Sequence, residues 1–338
     1  MQNYTSCCLC PRNCGVSRLS GQNGYCGETA ELKIAAATIH RGEEPPVTGI
    51  GGSGTIFVTG CTLGCKFCQN WQISQKGMGR KISLDEFARI CLYLQNAGAE
   101  NINIVTGSHV IPSIAAGVKL ARKEGLFIPI LWNSSSYENV SALELLKHTV
   151  SVYLPDLKTL DSDISARYFN AEDYPETTTK AILKMMDMQN LRFGKPRTKT
   201  SLGKTISRPD EMNHETLIQS GVIIRHLVLP DHLESTRKVL HWFAEHAQGR
   251  ALLSLMMQYT PVYTNDQLAM SNEQKNEIIP DRYVNEKEYE IVTNWLEEYG
   301  IDDGFYQELV PDNDWLPDFN RHNPFSSELS RTLWHWMA

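Results

Sequence analysis

Three cysteines at C-x3-C-x2-C spacing stand in Gly60-Cys61-Thr62-Leu63-Gly64-Cys65-Lys66-Phe67-Cys68, directly after the β-rich run Thr55-Ile56-Phe57-Val58-Thr59. Three thiolates at this spacing can ligate three irons of a [4Fe–4S] cluster. The two glycines allow a short loop whose sulfurs all point inward. Three ligands on four irons leave one iron open, as a catalytic zinc site keeps one position open. A structural zinc site, or an electron-transfer cluster with a distant fourth cysteine, is the alternative interpretation.

A second group of cysteines lies near the N-terminus, within residues 7–26. The ligand set with C-x2-C-x3-C-x11-C spacing is Cys7, Cys10, Cys14 and Cys26. Four thiolates would close a tetrahedral zinc or iron site, or would complete a four-cysteine iron–sulfur cluster. Cys8 is an alternative to Cys7. Because every metal position would be capped, we expect this second site to be structural or electron-relaying.

Composition limits the remaining classes of protein. The chain has 338 residues and nine cysteines, and 32 Lys and Arg residues against 39 Asp and Glu residues give a net charge of −7. An odd cysteine count without an N-terminal signal argues against a disulfide framework and predicts a cytoplasmic protein. The negative balance argues against a nucleic-acid partner. No apolar run is long enough for a transmembrane helix, so no membrane partner is expected.

Six β-rich runs follow residue 54 and alternate with amphipathic stretches. They cover residues 55–59, 102–106, 127–132, 150–154, 222–229 and 251–257. This alternation predicts an α/β fold with parallel βαβ units in one sheet. Such a sheet can curl into a barrel or a partial barrel, and periodicity alone does not distinguish that from a doubly wound sheet.

Local signals predict where several helices begin. Ser83 with Glu86, and Ser141 with Glu144, have the spacing of a capping box. Pro112 is expected to begin another helix that ends near residue 125. Two further helical stretches are predicted between about residues 161 and 190, and one over residues 234–246. Cys91 falls on the apolar face of its helix and is expected in the core.

Two segments depart from this alternation. Residues 192–208 contain six basic residues, two glycines and no acid, and predict an exposed loop or lid. Residues 281–318 contain twelve acids and only two bases, with aromatic residues such as Trp315 and Phe319 nearby, and predict a folded layer. We therefore expect three parts: a Cys-rich metal-binding module (1–30), a barrel (31–265) and an α-rich acidic C-terminal extension (266–338).

The cysteine loop, with an aromatic residue just before its third cysteine, resembles the radical S-adenosylmethionine (radical SAM) superfamily. The chain is similar to pyruvate formate-lyase activating enzymes, and most of all to relatives with an extra N-terminal Cys-rich segment. The similar phrases are residues 10–16, 40–45, 52–57, 69–70, 153–158, 224–230 and 258–259. The resemblance spans about residues 7 to 261. It implies a partial (β/α)6 barrel of the radical SAM type.

The resemblance also implies a chemistry. The open iron would be chelated by the amino and carboxylate groups of SAM, and an electron from the reduced cluster would cleave the sulfonium S–C5′ bond. The products would be methionine and a 5′-deoxyadenosyl radical, which abstracts a hydrogen atom from the substrate. The substrate would be a small molecule or a protein. The electron would come from an external donor such as flavodoxin or ferredoxin.

Matching by strand order implies which residues contact SAM. The second strand usually ends in a Gly-Gly-Glu-type motif, but here it ends in Thr106-Gly107-Ser108 without the acid. The residues implied as SAM contacts are Phe67, Thr106, Gly107, Ser108, Asn133, Asp156, Lys158, Arg225 and Gln258. Taken singly, an Asp–Lys pair is often only an ion pair, an Asn after a strand is often a turn former, and Phe67 would equally cover the cluster.

Three functional classes remain open. The first is a radical SAM enzyme that acts on a small molecule, and the second is an activase that installs a glycyl radical on a partner protein. The third is a non-catalytic iron–sulfur or zinc protein. A polar patch of His40, Glu43 and Glu44 before the first predicted strand is either an acid/base set or a capped turn. His226, inside an apolar strand, is expected to be a core histidine.

Overall fold

The computed structural model describes residues 2–195, 216–263, 270–271, 278–309, 316–325 and 330–338. The strands in these ranges are β1 (Leu32–His40), β2 (Ser53–Val58), β3 (Arg80–Ile82), β4 (Asn101–Val105), β5 (Ile130–Ser134), β6 (Val152–Pro155), β7 (Arg192–Gly194), β8 (Leu217–Leu227), β9 (Leu252–Met256), β10 (Gly304–Tyr306) and β11 (Ser330–His335). The helices there are α1 (Pro45–Thr48), α2 (Trp71–Ser74), α3 (Leu84–Asn96), α4 (Ile111–Lys123), α5 (Val140–Leu143), α6 (Ser162–Phe169), α7 (Tyr174–Met188), α8 (Leu233–His246) and α9 (Glu286–Glu298).

Six parallel strands make up the centre of the sheet, and they are the six that the sequence predicts. They lie side by side in chain order, β2-β4-β5-β6-β8-β9, and each pairs parallel to the next. A doubly wound sheet would reverse its order at a switch point. The unreversed order therefore confirms a partial barrel, which stays open because its path ends at β10 and at β11.

Strand β1 has no counterpart among the predicted strands. It pairs antiparallel with β2, β3 and β11, and most of its residues are buried. Its sequence contains Ala35-Ala36-Ala37 and lacks the alternation of polar and apolar residues that marks a half-exposed strand. Because β11 pairs with β1, the end of the predicted C-terminal extension belongs to the same sheet.

Helix α1 closes the amino-terminal end of the barrel. Val47 packs inside it against Leu131, Val152 and Ile223. The side-chain amide of Asn101, the first residue of β4, donates to the Val47 carbonyl at 2.7 Å. The carboxyl ends of the parallel strands are thus left for a site, which is where α/β barrels bind ligands.

One of the two predicted helix caps is correct. The Ser83 hydroxyl accepts from the backbone N–H of Glu86 at 3.1 Å, whereas the Glu86 carboxylate binds Arg80 at 2.7 Å instead of returning to the cap. The prediction for Ser141 is wrong, because α5 begins at Val140 and ends before Glu144.

The C-terminal chain contacts the barrel beside α2. The Phe319 ring lies 5.5 Å from the Phe57 ring on β2, and Phe319 is fully buried. The Gln72 side chain accepts from the Phe319 N–H at 2.8 Å and donates to Asp318 at 3.0 Å. This confirms a folded layer for Phe319, while Trp315 lies outside the described residues. Of the basic segment, residues 196–208 also lie outside them, and Arg192–Gly194 pairs antiparallel with the start of β8.

We expect Phe319→Ala to destabilise the whole fold rather than a separate tail. Removing a buried phenylalanine side chain costs about 3–5 kcal/mol of unfolding free energy. Urea unfolding followed by circular dichroism measures this change, with Tyr306→Ala as control because Tyr306 is 57% exposed. A loss below about 1 kcal/mol for Phe319→Ala, or a separate early transition, would show that the segment does not share the barrel core.

Candidate cofactor site

The cluster loop, residues 60–68, turns sharply away from the carboxyl end of β2. Gly60 and Gly64 have φ of +93° and +91°, a region that favours glycine. A Cβ on Gly60 would lie 2.7 Å from Glu28 Cγ, so a larger residue would clash. Cys61 Sγ accepts from the Leu63 N–H at 3.4 Å, and Cys68 Sγ bonds the Ser74 hydroxyl at 3.3 Å.

The three thiols of the cluster loop affect one another electrostatically. Burial raises the pKa of Cys68 to about 11, and burial also raises the pKa of Cys65 well above its ordinary value. The Cys61 thiol adds to both increases. Buried thiols of this kind ionise when a metal replaces their protons. Three sulfur donors on one loop fit an iron–sulfur cluster, although within the described ranges no three ligand side chains stand close enough to hold a single metal ion.

An ion pair lies beside these thiols at the carboxyl end of β6. Lys158 Nζ donates to Asp156 Oδ2 at 2.6 Å, and each side chain is about a quarter exposed. Burial alone would lower the pKa of Lys158, but Asp156 and the nearby Cys65 thiol raise it above its ordinary value. The Tyr174 hydroxyl fixes this turn by donating to the Asp156 carbonyl at 2.7 Å. The structure thus brings these two predicted residues to the cluster loop.

The end of β4 is tightly constrained. Thr106 has a φ of +63°, which is unusual for a β-branched residue. A Cβ on Gly107 would lie 2.6 Å from the Trp132 ring, so glycine is required there. The Ser108 hydroxyl is buried and donates to Glu138 Oε1 at 2.7 Å. The hydroxyl proton of Ser108 is therefore donated to a carboxylate of the protein itself.

Glu138 is a buried acid that the sequence analysis missed. Its carboxylate accepts from Ser108, from the Trp132 indole N–H at 2.7 Å and from the Ser134 hydroxyl at 3.1 Å. Burial raises its pKa, while these three donors oppose the increase. Glu138 thus places an acid beside the end of β4 from the loop after β5. No spacing rule links Glu138 to Ser108, so only the folded chain identifies the contact.

Arg225 lies on β8 with its donors directed at two glutamates. Its Nε donates to Glu44 at 2.8 Å, and its Nη2 donates to Glu43 at 2.6 Å. Asn103 on β4 donates to the other oxygen of Glu43 at 3.0 Å. The three charged side chains are 7–11% exposed. Despite its burial, the pKa of Glu44 is lowered, because Arg225 stabilises its charge.

This ionic contact changes the interpretation of two sequence predictions. Glu43 and Glu44 bind Arg225 instead of forming an acid/base set with His40, whose ring packs on Phe325 at 5.3 Å. Arg225 is at the predicted place on its strand, but Glu43 and Glu44 occupy its Nε and Nη2. The contact joins residues 181 positions apart, a separation that sequence patterns do not address.

The remaining residues predicted to contact SAM are Phe67, Asn133 and Gln258, and their surroundings differ. The Phe67 ring packs edge-on against Phe169 at 5.7 Å and Tyr259 at 5.3 Å, inside an aromatic cluster. Asn133 is half-buried at the end of β5, and its carbonyl accepts from the Thr106 N–H at 2.9 Å. Gln258 is half-buried two residues after β9. The aromatic packing of Phe67 favours a covering role over contact with adenine.

His226 is a core histidine, as predicted. It is 1% exposed, and its two ring nitrogens bond the Leu157 carbonyl at 2.7 Å and the Thr236 hydroxyl at 2.9 Å. Burial lowers its pKa to about 4, so the ring is neutral at physiological pH. His226 therefore supports the strand and is not available as a ligand.

The N-terminal cysteines are gathered by tight turns. The Asn13 N–H donates to the Cys10 carbonyl, and the Gly27 N–H donates to the Gly24 carbonyl, each at 3.0 Å. Burial raises the pKa of Cys10 to about 12, and the thiols of Cys26, Cys7 and Cys14 add to this increase. Cys8 is exposed. The turns thus place these four cysteines near enough for their thiols to affect the pKa of Cys10.

Comparison with known proteins finds similarity to one family. Residues 55–190 match the model of the Radical SAM superfamily, which confirms the resemblance found in the sequence. An uncharacterised protein of Methanocaldococcus jannaschii is 28% identical over 267 residues, which cover 77% of this chain and 68% of that protein.

Two solved structures are similar at low identity. Streptococcus suis SuiB bound to S-adenosylmethionine is 12% identical, with a TM-score of 0.47, over 73% of this chain and 48% of that one. A radical SAM methyltransferase from Sphaerobacter thermophilus is 14% identical, with a TM-score of 0.47, over 75% of this chain and 66% of that one. The match therefore spans about half the length of SuiB. Within the described ranges, no helix has the length and apolar character needed to span a membrane.

We expect Arg225→Met to be strongly destabilising, because it leaves two carboxylates buried without their partner. The loss of unfolding free energy should be about 3–5 kcal/mol. Replacing all three groups, as Glu43→Gln, Glu44→Gln and Arg225→Met together, should restore much of it. Urea unfolding of the two variants measures the difference. Equal stability of both variants would mean that the ionic contact is not what holds these elements together.

Proposed function

We propose that this protein is a radical SAM enzyme that reductively cleaves S-adenosylmethionine at a [4Fe–4S] cluster held by Cys61, Cys65 and Cys68. The observation that carries the proposal is the three-thiol loop at the carboxyl end of the first parallel strand, with Asp156 and Lys158 beside it. When bound, the cluster and SAM would supply the 5′-deoxyadenosyl radical that abstracts hydrogen from the substrate. The chain itself has to hold SAM and exclude water.

Polar groups at the carboxyl edge would hold SAM. In this proposal Asp156 accepts hydrogen bonds from the ribose hydroxyls, and Lys158 neutralises Asp156 and faces the carboxylate of SAM. Asn133 on β5 and Gln258, two residues after β9, are half-buried and complete the polar contacts. The aromatic cluster around Phe67 keeps water away from the cluster loop.

The amino group of SAM needs acceptors for its N–H protons. Leaving them unpaired in a dry pocket would cost about 1–3 kcal/mol. Because the Ser108 proton is donated to Glu138, the lone pairs of its oxygen remain as acceptors. Glu138 then acts as a positioning residue, and the carbonyls of Thr106 and Gly107 supply the other acceptors. Arg225 stays a proposed contact through its remaining nitrogen, Nη1.

The substrate defines two branches of this proposal. A small molecule would bind inside the barrel, whereas a partner protein would receive a glycyl radical from the enzyme acting as an activase. The electron would come from flavodoxin or ferredoxin in the cytoplasm. We retain the three-part division at residues 30 and 265 for the Cys-rich module, the barrel and the C-terminal extension. A purely electron-transferring protein would not cleave SAM, which the following assay tests.

Replacing Cys61, Cys65 or Cys68 by alanine should each abolish SAM cleavage, because each substitution removes an iron ligand. Anaerobically reconstituted protein, reduced with dithionite, is assayed for 5′-deoxyadenosine by chromatography. Cys91→Ala is the matched control, since Cys91 is buried on α3 away from the loop. If the triple cysteine variant still formed 5′-deoxyadenosine, the assignment of the cluster would be wrong.

We expect Asp156→Ala to weaken SAM binding about 10- to 100-fold, because a hydrogen bond to a charged group contributes roughly 1.5–3 kcal/mol. Equilibrium dialysis with labelled SAM measures the affinity, at a cluster content matched to that of the unmodified protein. Asp187→Ala is the control, because Asp187 is a surface residue paired with Arg250. Unchanged affinity for Asp156→Ala would refute the assignment of SAM contacts by strand order, whether or not the cluster is active.

A further inference from the structure

We infer that Cys7, Cys10, Cys14 and Cys26 hold a second metal centre with four thiolate ligands, and that this centre braces the cluster loop. The ligand class is a thiophilic metal centre, and an iron–sulfur cluster fits better than one zinc ion, because no three ligand side chains in the described ranges stand close enough for a single ion. The presence of the centre is independent of the proposed function. Its bracing role rests on that function, so the two parts are tested separately.

The four cysteines are buried or half-buried within the module, whereas Cys8 is exposed. The Cys14 and Cys26 sulfurs lie 3.6 and 3.2 Å from the position that a Cβ on Gly24 would occupy, so both face the same point. Cys7 and Cys10 are buried, and the backbone of Cys7 pairs with that of Gly15 and Val16. Metal knuckles have this form, with ligands at the ends of tight, glycine-containing turns.

Arg18 supplies an independent observation. Its guanidinium is 1% exposed and donates to the Glu28 carbonyl at 3.1 Å and to the carbonyls of Thr29 and His109. Its Nη1 also lies 3.7 Å from Cys7 Sγ. Among the described residues no carboxylate forms an ion pair with it, since Glu28 binds a lysine.

This buried guanidinium bonds carbonyls and the Cys7 sulfur, lies 5.0 Å from the Tyr4 ring and has no ion-pair partner in the described ranges, which is a costly environment for a charge. Four thiolates around a metal of charge +2 carry a net charge of −2, and a cubane cluster core of the same charge gives the same result. Binding such a centre would place negative charge within contact of Arg18. The arginine is therefore explained by a metal-bound module and is costly in a metal-free one.

The N-terminal module also forms hydrogen bonds to the cluster loop. The residues that donate them lie between the cysteines of the module. Arg12 Nε donates to the Thr62 carbonyl at 3.0 Å, and the Tyr25 hydroxyl donates to the Leu63 carbonyl at 3.2 Å. The Arg12 guanidinium stacks on the Tyr25 ring at 4.0 Å, which joins the two contacts. A metal that fixes Cys10, Cys14 and Cys26 would thus hold Arg12 and Tyr25 against the cluster loop.

The first experiment counts metal in the full chain carrying Cys61→Ala, Cys65→Ala and Cys68→Ala, which removes the other cluster. We expect about one zinc, or about four irons with sulfide, per chain, and the analysis itself distinguishes these. Adding Cys10→Ser should remove at least nine-tenths of the metal, whereas adding Cys8→Ser should remove none. Absence of metal in the triple variant, or equal losses for Cys8→Ser and Cys10→Ser, would overturn the inference.

A second measurement avoids any folding defect of Cys10→Ser. In the native triple variant we expect iodoacetamide to alkylate Cys8 rapidly, and the four module cysteines only after a chelator is added. Rapid alkylation of all four without the chelator would overturn the metal centre. Mass spectrometry of the digested protein assigns each modified thiol.

The bracing role is tested in the chain with its cluster loop intact. Arg12→Gln should alter the EPR spectrum of the reduced cluster and speed its loss of iron in air at least threefold, with the module metal retained. Arg41→Gln is the control, because Arg41 is exposed and bonds only the Ile50 carbonyl. Identical spectra and iron loss for both variants would refute the bracing role, while absence of any SAM-responsive spectrum in the unmodified protein would instead refute the proposed function.

Discussion

One buried ionic contact, between Arg225 and the pair Glu43 and Glu44, ties the segment that leads into α1 to strand β8. It lies inside the curved sheet, where two carboxylates and a guanidinium are stable only if each has partners. Asn103 supplies one more hydrogen bond, and α1 follows the two glutamates directly. Helix α1, with its Val47 side chain, fills the amino-terminal end, whereas the Arg225 backbone pairs with Asp156 just beyond the end of β6. The carboxyl edge is left as the place where the cluster loop and the Asp156–Lys158 pair meet.

The fold could be predicted from sequence because its signals are local. Each of the six central strands is a short β-rich run followed by an amphipathic helix, and their order in the chain is also their order in space. Strand β1 was not predicted because a strand that is buried on both faces shows no alternation of polar and apolar residues. The contact between Glu44 and Arg225 was not predicted for a different reason. It joins residues that only the curvature of the sheet brings together.

The candidate site shows the same division between local and tertiary information. The spacing of Cys61, Cys65 and Cys68 is a property of nine residues, so the loop was predictable as a unit. The position of Asp156 and Lys158 followed from strand order, because parallel strands end at one edge. The contacts of the Ser108 side chain did not follow, because its partner Glu138, which also binds Trp132, comes from another loop. Strand order assigns a residue to an edge of the sheet, but it does not assign the neighbours of its side chain.

Few interactions within the cluster loop itself fix its backbone conformation. Two of its residues are glycines at positive φ, and it contains neither helix nor strand, although the Cys68 N–H donates to the Cys65 carbonyl at 3.2 Å. Its backbone is fixed from outside: Asn170 donates to the Gly64 carbonyl at 3.1 Å, Gln75 donates to the Cys65 carbonyl at 2.9 Å, and the N-terminal module holds the next two carbonyls after Cys61. Each of these restraints comes from a different element. A loop that has to present three sulfurs to one metal cluster therefore depends on segments before and after it in the chain. Among these segments, the Cys-rich module is the one whose conformation a bound metal would fix.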